Sequence, residues 1–145
     1  MTGPDQDRLR ASVMTIATSP ECWNGVTAGV EQGPGDLDLM RLATQVWPGF
    51  FVVDEGRGFI AFEPDAAEPH VWRAHIAFLS AARGAQCVAW TKMVLRHVLD
   101  TTHASAIRAI YPAKRRDVAM FCAAAGFRRV GPGHHEMERN EPCHS

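Results

Sequence analysis

The sequence has no apolar run approaching the ~20 residues a membrane-spanning helix requires, which speaks against a helical membrane protein. Its first ten residues, MTGPDQDRLR, are polar and lack the apolar core of a secretory signal, so a cytoplasmic location is expected. Charge of one sign is nearly absent in surplus. Lys and Arg number 15 against 16 Asp and Glu, leaving a net charge of -1. That balance argues against nucleic acid or an anionic membrane surface as partner. The four cysteines, Cys22, Cys87, Cys122 and Cys143, lie far apart and form no CxxC pair. They read as reduced, buried thiols and not as a disulfide framework. His134-His135 and Cys143-His144 match no zinc spacing, so no metal is expected. Tyrosine occurs once, at Tyr111, and there is no internal repeat or low-complexity tract.

What is present suits one folded domain. A chain of 145 residues, 46% hydrophobic, buries ~68–70% of the surface its unfolded form exposes. The expected organisation is a single domain over 1–145, with N-terminal helices and a loop in 1–48, a core in 50–130 and a flexible tail in 139–145. Asp5 or Asp7 is placed to cap a helix through Leu9, Val13, Met14 and Ile16 that Pro20 stops. Residues 24–35 carry four glycines and a proline and read as loop. A short helix follows, DLDLMRLATQVW, ended by Pro48 and Gly49.

The centre changes period. Phe50–Val53 and Phe59–Phe62 flank a Gly-containing turn, the pattern of a hairpin. VWRAHIAFLS alternates, with Val71, Arg73, His75 and Ala77 on one side and Trp72, Ala74, Ile76 and Phe78 on the other. The loop Ala81–Gln86 leads into a helix from Cys87 to Asp100, with Val88, Thr91, Val94, Leu95, Val98 and Leu99 at helical spacing. Next come a strand SAIRAIYP, a helix from Lys114 to Ala125 that Gly126 ends, a strand from Phe127 to Val130, and a last short strand in HEMERN. Helices and strands mixed in this way define an α/β or α+β domain.

One segment carries chemistry. Arg83-Gly84-Ala85-Gln86 stands where a strand hands over to a helix. Helix N-terminal amides attract anions, and a glycine lets the backbone approach a phosphate. The amides of Gly84, Ala85, Gln86 and Cys87, with the charge of Arg83, form a candidate pyrophosphate site. Histidine is the residue type best suited to proton exchange near neutral pH, and His75, on the preceding strand, is the first candidate for a general base. Glu63 and Glu68 are second choices. A basic run, Lys114-Arg115-Arg116, opens the following helix, near Arg128-Arg129 in sequence.

The order HIAFLS, AARGAQ, CVAWTKMVLRHVLD, SAIRAIYP, RRDVAMFCAAAGF resembles the core of the GNAT superfamily of acyl-CoA-dependent N-acetyltransferases. The resemblance extends from Phe50 to Val130 and is greatest to the small GNAT-like proteins of phages and prophages. It implies an α/β (α+β) fold whose mixed, twisted sheet splays between the family's fourth and fifth strands, here HIAFLS and SAIRAIYP, flanked by helices. It implies acetyl-CoA as co-substrate, its pantetheine paired with the backbone of Phe78, Leu79 and Ser80 and its pyrophosphate on Arg83 to Cys87. Transfer to an amine acceptor follows by direct attack, with His75 as base. Cys122 stands where many members carry the tyrosine that protonates the leaving thiolate, and Tyr111 is the alternative acid. Ala81, Gln86 and Arg115 also depart from the family pattern. These departures motivate the competing expectation, a catalytically silent GNAT-fold protein of phage structure or assembly. The implied partners are CoA and an amine, with a second copy of the chain or a virion component beyond them. The implied location is the cytoplasm, that of the host for a phage protein, or the virion.

Overall fold

The computed structural model describes residues 4–19, 22 and 45–139. Among them are three α-helices and a six-stranded mixed sheet. In chain order the elements are α1 (Pro4–Ala17), β1 (Phe50–Asp54), β2 (Gly58–Pro64), β3 (Val71–Phe78), a 3-10 turn (Ser80–Ala82), α2 (Ala85–Thr101), β4 (Ala106–Ile110), α3 (Arg116–Ala124), β5 (Arg128–Gly131) and β6 (His134–Glu138). The strand order is β1-β2-β3-β4-β6-β5. The chain divides into two compact units, Met1–Ala61 with His75–Gly84, and Phe62–Ala74 with Ala85–Ser145.

In the first unit, α1 begins at Pro4, so Asp5 and Asp7 sit within its first turn and not at its cap. Proline suits the first helical position because its missing N–H would have no partner there, and acidic residues favour the positive helix start. Val13, Ile16 and Ala17 form its inner face and pack with Cys22, Phe59, Ala61 and Ala77. Trp47, Phe51, Val53 and Leu79 close over this cluster. The β1–β2 turn is fixed by the Arg57 N–H on the Asp54 carbonyl, and Ser12 Oγ accepts from the Gly56 N–H. Gly58 lies so close to β3 that a Cβ there would strike the ring of Phe78. The loop expected at 24–35, most of the helix expected at 36–47, and the tail from residue 140 lie outside the described residues.

In the second unit, α2 buries Cys87, Thr91, Val94, Leu95, Val98 and Leu99, the face that the 3.6-residue spacing selects. It starts two residues before the expected Cys87, directly after Gly84. Arg139 closes its other end by donating to the carbonyls of Thr102 and Ala104. These acceptors belong to the loop that follows the helix. Helix α3 ends in a Schellman motif, with Gly126 N–H on the Ala123 carbonyl and Phe127 N–H on that of Cys122. Buried Cys122 and Phe127 supply the apolar pair that accompanies the motif. The C-terminal strands form the hairpin β5–β6, antiparallel and irregular between Arg129 and Gly131.

Strand β3 does not show the clean alternation its sequence suggests. Val71, Ala74, Ala77 and Phe78 are buried, while Arg73 and His75 are only half-buried. Buried residues on both faces are the mark of an interior strand. Its ladder with β4 is parallel and consists of Val71↔Ala106, Trp72↔Ile107 and Arg73↔Arg108, whereas β3 itself continues to Phe78.

Candidate functional site

Each unit holds part of the set of residues that the sequence singles out. In the first unit, His75 is half-buried and its ring meets Trp47 edge-on, with centroids 5.6 Å apart. Strand β3 then ends in backbone that is extensively bonded within the chain. The Phe78 carbonyl accepts from Arg83 Nε at 3.0 Å and from the Cys22 thiol at 3.4 Å. The Leu79 N–H donates to the Arg57 carbonyl at 2.9 Å, and the carbonyls of Leu79 and Ser80 accept from Ala82 and Arg83. This changes the expectation for Phe78, Leu79 and Ser80. The carbonyls of all three already carry one or two donors from within the chain. The side chain of Arg83 folds back onto β3 through Nε, although the residue is exposed. Gly84 has φ +150°, a conformation that residues with a Cβ rarely adopt, and nothing occupies the space where its Cβ would stand.

In the second unit, Ala85 and Gln86 open α2 on the surface and Cys87 is buried behind them. No acidic side chain occupies the first turn of this helix. At the start of α3 the reverse holds. Arg115 and Asp117 pair there at 2.9–3.0 Å, holding the Asp117 carboxyl at about 2. Arg115 of the basic run thus pairs with a carboxylate of its own chain, which moderates the cost of that cation at a helix start.

Cys122 and Tyr111 come within electrostatic reach of one another, but they are not equivalent. Cys122 is 2% exposed, and burial pushes its thiol up to about 11. It is enclosed at the end of α3, whereas Tyr111 is only half-buried. Tyr111 follows β4, half-buried, and its Oη lies 2.9 Å from His135 Nδ1. The two rings are 5.7 Å apart. Burial raises the phenol, as does Cys122, while Arg129 works the other way. Burial also lowers His135, assisted by Arg129 and His134. In the sequence His135 stands out only as part of the His134-His135 pair, which matches no zinc spacing. The signal that finds it is cross-strand register. His135 lies opposite Ala109, and Tyr111 stands two residues beyond Ala109 on the same face.

A second cluster surrounds Arg108. Its guanidinium meets Glu136 at 2.8 Å, Asp65 at 3.1 Å and Glu68 at 3.0 Å. His134 Nε2 stands 2.7 Å from the same Glu136 oxygen. Glu68, a second choice as base, is therefore an ion-pair partner of Arg108. A cavity of about 250 Å³ lies among Pro69, His70, Trp72, Thr102, His103 and Ala104. It contains none of the residues proposed from sequence and is smaller than the ~300–1,000 Å³ of usual small-molecule sites.

No family model matches the chain, and no curated protein matches it. Among solved structures, the chain is similar to PH1933 from Pyrococcus horikoshii OT3, with 16% identity over 98% of this chain and 96% of that one and a TM-score of 0.58. At that identity the likeness concerns the fold alone, a mixed α+β architecture.

Proposed function

We propose that the chain is an acetyl-CoA-dependent N-acetyltransferase of the GNAT type, acting on a primary amine. The observation that carries this reading is the parallel β3–β4 ladder. It covers Val71 to Arg73, while β3 runs on to Phe78 and the crossover between the two strands is α2, entered through Gly84. A parallel pair that parts midway is the splay that the resemblance implies for the two strands flanking the cofactor. A helix start without an acidic residue suits an anion. In this reading acetyl-CoA engages the end of β3 and the amides after Gly84. The amine nitrogen attacks the thioester carbonyl, His75 takes the ammonium proton, the C–S bond breaks, and Tyr111 protonates the departing thiolate. The family's Gly-Phe helix ending is present here as Gly126-Phe127.

A second reading, a GNAT-fold phage structural or assembly protein without catalysis, is favoured by one observation. The groups of Phe78 and Leu79 that would hold pantetheine already have partners within the chain. Thermal melting with acetyl-CoA separates the two. A ligand at 100-fold its Kd stabilises by about 2.7 kcal/mol when it binds only the folded state. An upward shift with acetyl-CoA, together with acetylation of some member of an amine panel, is expected for the enzyme. In that case His75→Ala cuts transfer at neutral pH while leaving the shift in place. No shift at millimolar acetyl-CoA refutes the enzyme reading, and a shift without transfer to any amine favours the silent fold.

A further inference from the structure

We propose that His134, its ring held by Glu136, is a general base that activates water for hydrolysis of a neutral ester with an aliphatic acyl chain. The site lies wholly within the second unit and stands apart from the acetyltransferase reading.

Glu136 Oε2 lies 2.8 Å from Arg108 Nε and 2.7 Å from His134 Nε2. A guanidinium stays charged and only donates, and an ionised carboxylate only accepts. Burial acts to raise the Glu136 carboxyl, but Arg108 and His134 lower it on balance. Oε2 is therefore the acceptor in both contacts, and His134 Nε2 carries the hydrogen. A neutral imidazole has one N–H, so the Nδ1 lone pair stays free. Nδ1 has no hydrogen-bond partner among the described residues and is not enclosed, with 30% of the side chain exposed. A carboxylate on one ring nitrogen fixes the tautomer and the ring orientation, and leaves the other nitrogen to act. The carboxylate is itself anchored, because Arg108 is held in turn by Asp65 at 3.1 Å.

Register sets this imidazole among exposed apolar groups. His134 pairs with Ile110 on β4 and with Gly131 on β5. Side chains directly opposite on antiparallel strands have Cβ atoms about 4.5–5.5 Å apart. Ile110 is 52% exposed, and Val130, which the irregular pairing inserts before Gly131, is 47% exposed. The neighbouring Ala109 and His135 are buried instead. Exposed aliphatic residues on both adjoining strands suit an aliphatic acyl chain. Charge selects a neutral one. Three carboxylates, Asp65, Glu68 and Glu136, meet one guanidinium here, and Arg128 is paired with Glu138. The surplus of negative charge repels an anionic ester. In the reaction, water attacks the ester carbonyl carbon while its proton passes to Nδ1. The bond from that carbon to the leaving oxygen breaks, and the imidazolium returns the proton to that oxygen. An acid and an alcohol result, with water as the co-reactant. His134 touches the attacking water, and Glu136 is a positioning residue.

The probe is p-nitrophenyl butyrate, with nitrophenol release by the full chain followed by absorbance. His134→Asn is expected to lower kcat at least about tenfold, within the range of acid–base contributions. The remaining histidines set the background rate of that variant. Glu136→Gln, which keeps an oxygen acceptor, should lose less than Glu136→Leu, with the loss in kcat and not in KM. Ile110→Ser should raise KM. A wild-type rate no higher than that of His134→Asn overturns the proposal, and a Glu136 effect confined to KM overturns the positioning role. Nitrogen-15 NMR of the wild-type histidines supplies a readout that needs no activity, with His134→Asn identifying the signal. A pyrrole-type Nε2 and a pyridine-type Nδ1 are expected for His134, and the reverse assignment overturns the site. Neither measurement uses acetyl-CoA, so failure of the acetyltransferase reading leaves both outcomes unchanged.

Discussion

Replacing Thr91 by valine is expected to stabilise the protein. Thr91 sits on the inner face of α2, 0% exposed, with Cys87, Val94, Leu95 and Val98 on the same face. Its Oγ1 is a buried side-chain polar atom without a hydrogen-bond partner among the described residues. An unsatisfied buried hydroxyl costs about 1–3 kcal/mol, and a methyl group of the same shape removes that cost. Helix propensity does not offset the gain, because threonine and valine are nearly equal in a helix interior. A gain of about 1–2 kcal/mol is therefore expected. The entropy of melting of a chain of 145 residues is on the order of 0.3 kcal/mol/K, so Tm rises by roughly 3–7 °C. Urea titrations of wild type, Thr91→Val and Thr91→Ser measure it. The serine variant keeps the hydroxyl and deletes a methyl group, which costs about 1 kcal/mol. The diagnostic result is thus opposite signs for the two substitutions. A neutral or destabilising Thr91→Val would refute the reasoning, since it would mean that the hydroxyl has a partner worth keeping.

Two further outcomes follow from the second unit. In Arg108→Met, Asp65 and Glu136 lose their guanidinium, and the Arg108–Glu136 contact alone accounts for about 1–3 kcal/mol, with the exposed Glu68 adding little. The Ala67 and Glu68 N–H groups and Arg108 lower the Asp65 carboxyl, and Arg108 and His134 lower that of Glu136 against its burial. Carboxyls lowered on folding stabilise above their unfolded pKa of about 4 and lose that contribution as the pH falls through the folded value. The deficit of Arg108→Met should therefore be full at pH 7 and shrink below about pH 4, in urea melts across pH, whereas a constant deficit points to lost packing. In Gly133→Ala, the added Cβ meets the Tyr111 carbonyl oxygen at a residue with φ +68°. Strain of roughly 1–3 kcal/mol is expected, with a shifted titration of the single tyrosine read by its ultraviolet difference spectrum. An unchanged melt and titration would mean that the β5–β6 turn does not hold Tyr111.

The sequence by itself determined what depends on neighbours along the chain. The apolar spacing of α2, the hairpin period around Asp54–Gly58, and the Gly126-Phe127 ending of α3 are written locally, because a helix stripe, a turn and a Schellman motif each involve residues within a few positions. The six-stranded mixed architecture follows from the order of such elements. Element edges were less legible. The start of α2 at Ala85 depends on the backbone angles Gly84 adopts after a 3-10 turn, which the spacing of apolar residues does not encode. Tertiary structure alone decided the partners. Glu136 meets Arg108, and His135 meets Tyr111, because the β4–β6 register sets Arg108 opposite Glu136 and Ala109 opposite His135. It also enclosed Cys122, read from sequence both as a buried thiol and as a candidate acid, at the turn that ends α3. Side-chain chemistry is a property of a residue, but burial and pairing are properties of the residues that folding brings beside it.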